Sequence, residues 1–205
     1  MADRPDTVVF DIGNVLIRWD MRNLYRRIFT DHERMEWFLS NICTTEFNLE
    51  QDRGRPFAQA VAELTARHPE WKKEIALYDT GWEDMLDGAI GGTVEILEEL
   101  QRSSIPTYAI TNFSREKFDR AGEIFPFLRS FIGTVVSGDE QLLKPDRAIF
   151  ELFLSRYKMR AAQCVFIDDS KPNVDSAGAL GFHALHFTSP EQFRSDLVNA
   201  GMLTK

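Results

Sequence analysis

Five short apolar runs constrain this chain more than any other feature. They are Thr7–Phe10, Thr107–Ile110, Phe131–Val136, Cys164–Ile167 and Phe182–Phe187, each stopped by small or polar residues. Their length and their β-branched or aromatic content describe buried strands. Between the later runs the apolar residues take a helical spacing. Thr93–Arg102 carries Val94, Leu97 and Leu100, while Asp146–Tyr157 carries Ile149, Leu152, Phe153 and Tyr157 on one face. Asn173–Leu180, with Gly181 as its stop, and Pro190–Asn199 complete the alternation. Strands alternating with helices imply an α/β fold whose parallel sheet is covered on both faces.

The interval from Asp20 to Leu86 breaks this rhythm and reads as almost all helix: Met21–Phe29, Glu33–Asn41, Phe57–His68 and Trp71–Leu86. Phe57, Ala60, Val61 and Leu64 form one apolar stripe, and Pro56 suits a first helical turn. Ile42–Arg55 between the second and third helices reads as a polar loop containing Gly54. The division expected is an α/β core of residues 1–19 and 87–205, with an all-α insert of residues 20–86, the size of a small module.

Composition narrows the function classes. The 205 residues carry 32 acidic and 24 basic side chains, a formal charge of −8, with no Lys/Arg block to track a nucleic-acid backbone or an anionic bilayer. No apolar run approaches the ~18 residues that cross a membrane. The two cysteines, Cys43 and Cys164, form no metal-type pair, and no disulfide framework is expected. The start, Met1-Ala-Asp-Arg-Pro-Asp, lacks a basic segment followed by an apolar stretch. The expectation is a cytoplasmic protein without nucleic-acid or membrane partners; oligomeric state stays open.

In an open parallel sheet, ligands bind beyond the carboxyl ends of the strands. Those positions hold Asp11-Ile12-Gly13-Asn14-Val15, Thr111-Asn112, Lys144-Pro145-Asp146 and Asp168-Asp169-Ser170-Lys171-Pro172-Asn173. Carboxylates gathered at Asp11, Asp168 and Asp169 repel one another unless a cation joins them, and hard oxygen ligands suit Mg2+. Lys144 adds a positive charge, and Thr111 and the amides near Asn112 donate hydrogen bonds to an anion. Positioning and charge neutralisation are what phosphoryl transfer requires. A carboxylate that is not fully neutralised attacks phosphorus to give an aspartyl phosphate.

These four segments, in this order and on these strands, resemble the four motifs of the haloacid dehalogenase (HAD) superfamily, and the helical insert resembles its C1-type cap. The resemblance implies a Rossmann-like core and Mg2+-dependent hydrolysis of a small phosphorylated substrate. It makes Asp11 the nucleophile and a metal ligand. Thr111 and Asn112 bind the phosphoryl group, and Lys144 neutralises both nucleophile and substrate. Asp169 becomes the direct metal ligand of the acidic pair, with Asp168 behind it. Asn173 stands where many relatives have another acid.

One departure bears on mechanism. Phosphatases of the superfamily usually carry a second aspartate two residues after the nucleophile, as general acid and base, and this chain has Gly13. The metal site keeps its ligand there, because the family uses that residue's backbone carbonyl. Loss of a positioned acid costs ~10²–10⁴-fold in rate. Either the leaving group needs little protonation, as in an anomeric sugar phosphate or acyl phosphate, or another group supplies the proton. The Asp-x-Gly-Asn-Val form is similar to that of bacterial α-glucose-1-phosphate phosphatases, in line with the first alternative. On the insert, Glu46, Asn48, Gln51 and Arg53 fall on a segment that faces the site in C1-capped relatives, and Arg53 suits a hydroxylated or anionic substrate. Trp37, Trp71 and Trp82 read as packing residues, and the four histidines show no ligand spacing. Two competing functions are a metal-independent 2-haloacid dehalogenase and a non-catalytic phosphometabolite-binding domain.

Overall fold

The computed structural model describes residues 5–204; the opening residues read above for a leader lie largely outside them. Its main sheet has five parallel strands: β1 (Thr7–Phe10), β4 (Thr107–Thr111), β5 (Gly133–Val136), β6 (Cys164–Asp168) and β7 (His183–His186), in the order β5-β4-β1-β6-β7. The five apolar runs are thus the five strands. A separate antiparallel ribbon pairs β2 (Ile17–Trp19) with β3 (Leu86–Ala89).

Strand β1 is buried along its whole length, and successive side chains enter different cores, as a period of two requires. Val8 and Phe10 join Leu97 and Leu100 of α6 (Gly91–Arg102), Ala121 of α7 (Arg115–Ile124), and Phe193 and Leu197 of α11 (Pro190–Asn199). Val9 joins Ile149, Phe150 and Phe153 of α9 (Arg147–Tyr157) and Ala177 of α10 (Lys171–Ala179). A short α8 (Ser137–Glu140) follows β5.

Five helices separate β2 from β3: α1 (Met21–Tyr25), α2 (His32–Asn41), α3 (Thr45–Asp52), α4 (Phe57–Arg67) and α5 (Lys72–Thr80). Tyr25, Phe38 and Trp71 pack centroid to centroid at 5.0 and 5.2 Å, and this cluster is continuous with the α6/α11 face of the sheet. Three expectations change here. Ile42–Arg55 contains the helix α3, because the Thr44 hydroxyl accepts from the Phe47 N–H and starts a turn that Phe47 and Gln51 bury. The expected helix Trp71–Leu86 is broken at Gly81, where a Cβ would lie 3.0 Å from Leu24; a 3₁₀ turn (Trp82–Met85) and β3 follow. The expected helix Met21–Phe29 ends at Tyr25.

Gly54 shows how α3 reaches the core. Its φ is +107°, and a Cβ there would stand 2.7 Å from the Gly138 carbonyl oxygen. Gly54→Ala therefore meets both backbone strain and a backbone clash, and is expected to destabilise the fold by about 1–3 kcal/mol. A chemical denaturation midpoint equal to that of the wild type would contradict this.

Candidate active site

Two connections leave β1's neighbours on opposite sides, so the carboxyl ends of β1, β4 and β6 enclose the crevice at a topological switch point. Asp11 follows β1 directly and is 7% exposed. Its Oδ1 accepts from the Ile12 N–H at 2.7 Å and lies 2.7 Å from Lys144 Nζ. No partner among the described residues engages Oδ2. Burial raises the Asp11 carboxyl well above the usual range, Lys144 opposes that shift, and Asp168 and Asp169 reinforce it.

Lys144 bridges two carboxylates, with Nζ also 2.7 Å from Asp168 Oδ2. Burial would lower this ammonium, but Asp11 and Asp168 outweigh it and hold the lysine above its ordinary range. The residue is aimed by Asn112, whose Oδ1 accepts from the Lys144 N–H at 2.8 Å and whose Nδ2 donates to the Lys144 carbonyl at 3.0 Å. That two-point clamp engages the side chain expected to bind a phosphoryl group. The hydroxyl of Thr111, at the end of β4, has no partner among the described residues.

The acidic pair divides sharply. Asp168 is fully buried and accepts from Lys144, the Ser170 N–H at 2.8 Å, and Asn173 Nδ2 at 3.0 and 3.1 Å. Asn173 thus fills its position as a donor to Asp168. Asp169 is exposed, and its carboxyl is raised by burial of its surroundings and by Asp168, against Lys144 and a hydrogen bond from the Asn14 side chain. Asn14 holds that place with φ 54° and accepts from the Trp19 N–H at 3.0 Å. Ligand atoms of Asp11, Asp168 and Asp169 lie within 4.8 Å of one another. Three carboxylates face one ammonium, so this donor set fits a divalent cation.

Beside Gly13 and Asn112 opens a cavity of about 100 Å³, walled by Trp19, Phe57, Trp82 and Phe113, with Asn48, Asp52, Ser114 and Lys117 as its polar groups. Arg53 does not reach it. As the C-terminal cap of α3 it turns outward, half exposed, 3.7 Å from Glu50, and lines a separate depression with Gln59 and Gln141. Trp19, Asp52 and Lys117 stand outside every motif of the sequence, and Trp82, expected to pack, also walls the cavity. The Thr44 cap ahead of Glu46 was the available signal for α3, and hence for Asp52.

Burial pushes the Asp52 carboxyl up to about 7, opposed by the Ser114 backbone. A raised folded value binds the proton more tightly than the unfolded chain does. The stability it contributes is therefore complete below about 4, the unfolded value, and is lost as pH rises through about 7. Asp52→Asn is expected to melt higher relative to wild type at pH 8 than at pH 4; an identical difference at both would refute the shift.

A carboxylate, a lysine and an acidic pair thus stand together at the carboxyl edge of a parallel α/β sheet. The chain belongs to the haloacid dehalogenase-like hydrolase family, whose model matches residues 5–181. It is 32% identical over 93 residues to a sesquiterpene phosphatase of Aspergillus oryzae, covering 45% of this chain and 47% of that protein. The chain spans less than half the length of the curated relatives it matches. A HAD family enzyme of Bacteroides thetaiotaomicron superposes with a TM-score of 0.76 at 21% identity, covering 95% and 99% of the two chains, and has also been crystallised with magnesium and inorganic phosphate. The L-2-haloacid dehalogenase of Xanthobacter autotrophicus superposes at 0.64 and 15% identity, covering 97% and 84%. Among the described residues no helix is long and apolar enough to cross a membrane.

Proposed function

We propose that this chain is a magnesium-dependent phosphatase of a small phosphorylated metabolite, with Asp11 as nucleophile. One observation carries the reading: Asp11 has one oxygen fixed by Lys144 and the Ile12 N–H and the other free, beside an acidic pair that a cation must join. Asp11 Oδ2 attacks phosphorus to form an aspartyl phosphate, which water then hydrolyses. Lys144 holds the attacking carboxylate, while Thr111 Oγ1 and the Asn112 backbone N–H receive the phosphoryl oxygens. Asp11, Asp169 and the Gly13 carbonyl would hold a magnesium ion, with Asp168 supporting the site through Lys144 and Asn173. Bound there, magnesium supplies charge neutralisation of the phosphoryl group. The same acidic pair argues against haloacid chemistry, which needs no cation.

Residues 20–86 read as a C1-type cap, with its cavity receiving the leaving group. That cavity measures about 100 Å³ and opens to solvent. Its aromatic walls and the polar groups of Asn48 and Asp52 suit the C–H face and hydroxyls of a short sugar or polyol phosphate. Arg53, pointing outward, takes no part in this reading.

The test is phosphate release from a panel running from acetyl and glycerol phosphates to hexose phosphates and nucleotides. Activity should require magnesium, and undiminished turnover in excess chelator would overturn the reading. Halide release from 2-chloropropionate without metal would move the chain to the dehalogenases. Magnesium should also stabilise the fold by about 2.7 kcal/mol at a hundred times its dissociation constant, raising the melting temperature by roughly 5–11 °C. Asp169→Asn should remove most of that rise.

A further inference from the structure

We propose that Asp52 is the general acid and base of this reaction, supplying from the helical segment the carboxylate that Gly13 lacks. The inference rests on the phosphatase reading above and deepens it.

Asp52 is the carboxylate lining the cavity that Gly13 and Asn112 also line. Its place is built from several elements. Asn48 Nδ2 donates to Oδ2 at 2.8 Å, and Asn48 is in turn held by the Tyr78 hydroxyl at 2.6 Å. The Ser114 backbone, on the loop that follows Thr111-Asn112, lines the same cavity and offsets part of the carboxyl's upward shift. Ser137 Oγ donates to the Asp52 carbonyl at 2.5 Å, and the close approach of Gly54 to Gly138 fixes the end of α3 against the core. Among the described residues no salt bridge reaches this carboxyl. The charged groups around it are engaged elsewhere: Lys117 with Asp79, Arg55 with Gln51 and Glu63, and Asp139 with Arg115. Tyr78 stays neutral, its phenol raised by burial. A carboxyl with aromatic walls and no cation paired with it keeps its proton near neutral pH, as a general acid must.

The step balances. Asp11 Oδ2 bonds to phosphorus as the bond from phosphorus to the leaving oxygen breaks, and Asp52 gives that oxygen its proton. Asp52, now a carboxylate, takes a proton from water, whose oxygen attacks phosphorus. The bond from phosphorus to Asp11 then breaks, releasing inorganic phosphate and restoring Asp11.

The experiment compares two leaving groups with magnesium present: glycerol phosphate, whose alkoxide needs a proton, and acetyl phosphate, whose acetate does not. Measured as the rate of aspartyl-phosphate formation in a single turnover, Asp52→Asn should lose about 10²–10⁴-fold with glycerol phosphate and change little with acetyl phosphate, while hydrolysis of the intermediate slows equally with both. Gly13→Asp should restore the first activity in the Asp52→Asn background, because a Cβ at Gly13 meets nothing within 4 Å and its φ is ordinary. Equal losses in the formation rate with both substrates, with no rescue, would overturn the role of Asp52 and leave the phosphatase reading standing. Wild-type chain releasing phosphate from neither would overturn both. If Asp52→Asn misfolds, the wild type decides: a rate nearly independent of the leaving alcohol's pKa supports an enzyme-borne acid, and a steep dependence contradicts it.

Discussion

Asp11→Asn should reduce phosphate release by about 10⁴–10⁶-fold, the scale of losing a nucleophile that acts as part of a unit. The substitution keeps volume and keeps an acceptor for the Ile12 N–H, so the loss should fall on chemistry and spare the fold. Stability should hold or improve without metal, because the variant removes one of three carboxylates crowded around Lys144. Magnesium should lose most of its stabilising effect on the same variant. Activity within tenfold of wild type, measured on well-folded protein, would rule Asp11 out as nucleophile.

Lys144→Met should be the most destabilising single change in the site. The lysine side chain is 1% exposed and pairs with Asp11 and Asp168 at 2.7 Å each, and Asp168 has no solvent to turn to. Removing one partner of a buried pair costs about 3–5 kcal/mol, because the remaining charge is left unpaired. In a domain of this size that corresponds to a melting temperature roughly 6–20 °C lower. The sign with pH follows from the direction of each shift. Lys144 is raised, so its contribution is intact below the unfolded lysine value of about 10.4 and is lost only above it. Acid should narrow the gap between variant and wild type, since protonating Asp11 removes the charge that Lys144 balances. Magnesium should narrow it too. Equal melting temperatures at pH 7 without metal would contradict the buried bridge.

Strands β1, β4 and β6 were legible because each is a fully buried run, whereas β5 and β7 are only partly buried and β7 carries the exposed His183 and His186. The ribbon of β2 and β3 was not legible, since Ile17–Trp19 and Leu86–Ala89 are three and four residues long and find each other across the whole helical segment. Helix α3 escaped because only Phe47 and Leu49 are apolar, and the residue buried beside Phe47 is the polar Gln51. The break at Gly81 depends on Leu24, a contact that no helical periodicity encodes.

The sequence by itself determined the order of Asp11, Thr111, Lys144 and Asp168-Asp169 along the strand ends. A parallel sheet then brings those ends to one edge, so the strand ends alone were enough to gather these residues. Only the tertiary structure decided how the site divides its work. Lys144, Ser170 and Asn173 saturate Asp168 and leave Asp169 open, Asn112 clamps Lys144, Arg53 points away, and Asp52 meets Ser114 across the cavity. The physical reason is range. Element type follows from residues a few positions apart, whereas desolvation and choice of partner depend on side chains that meet only once the chain has packed.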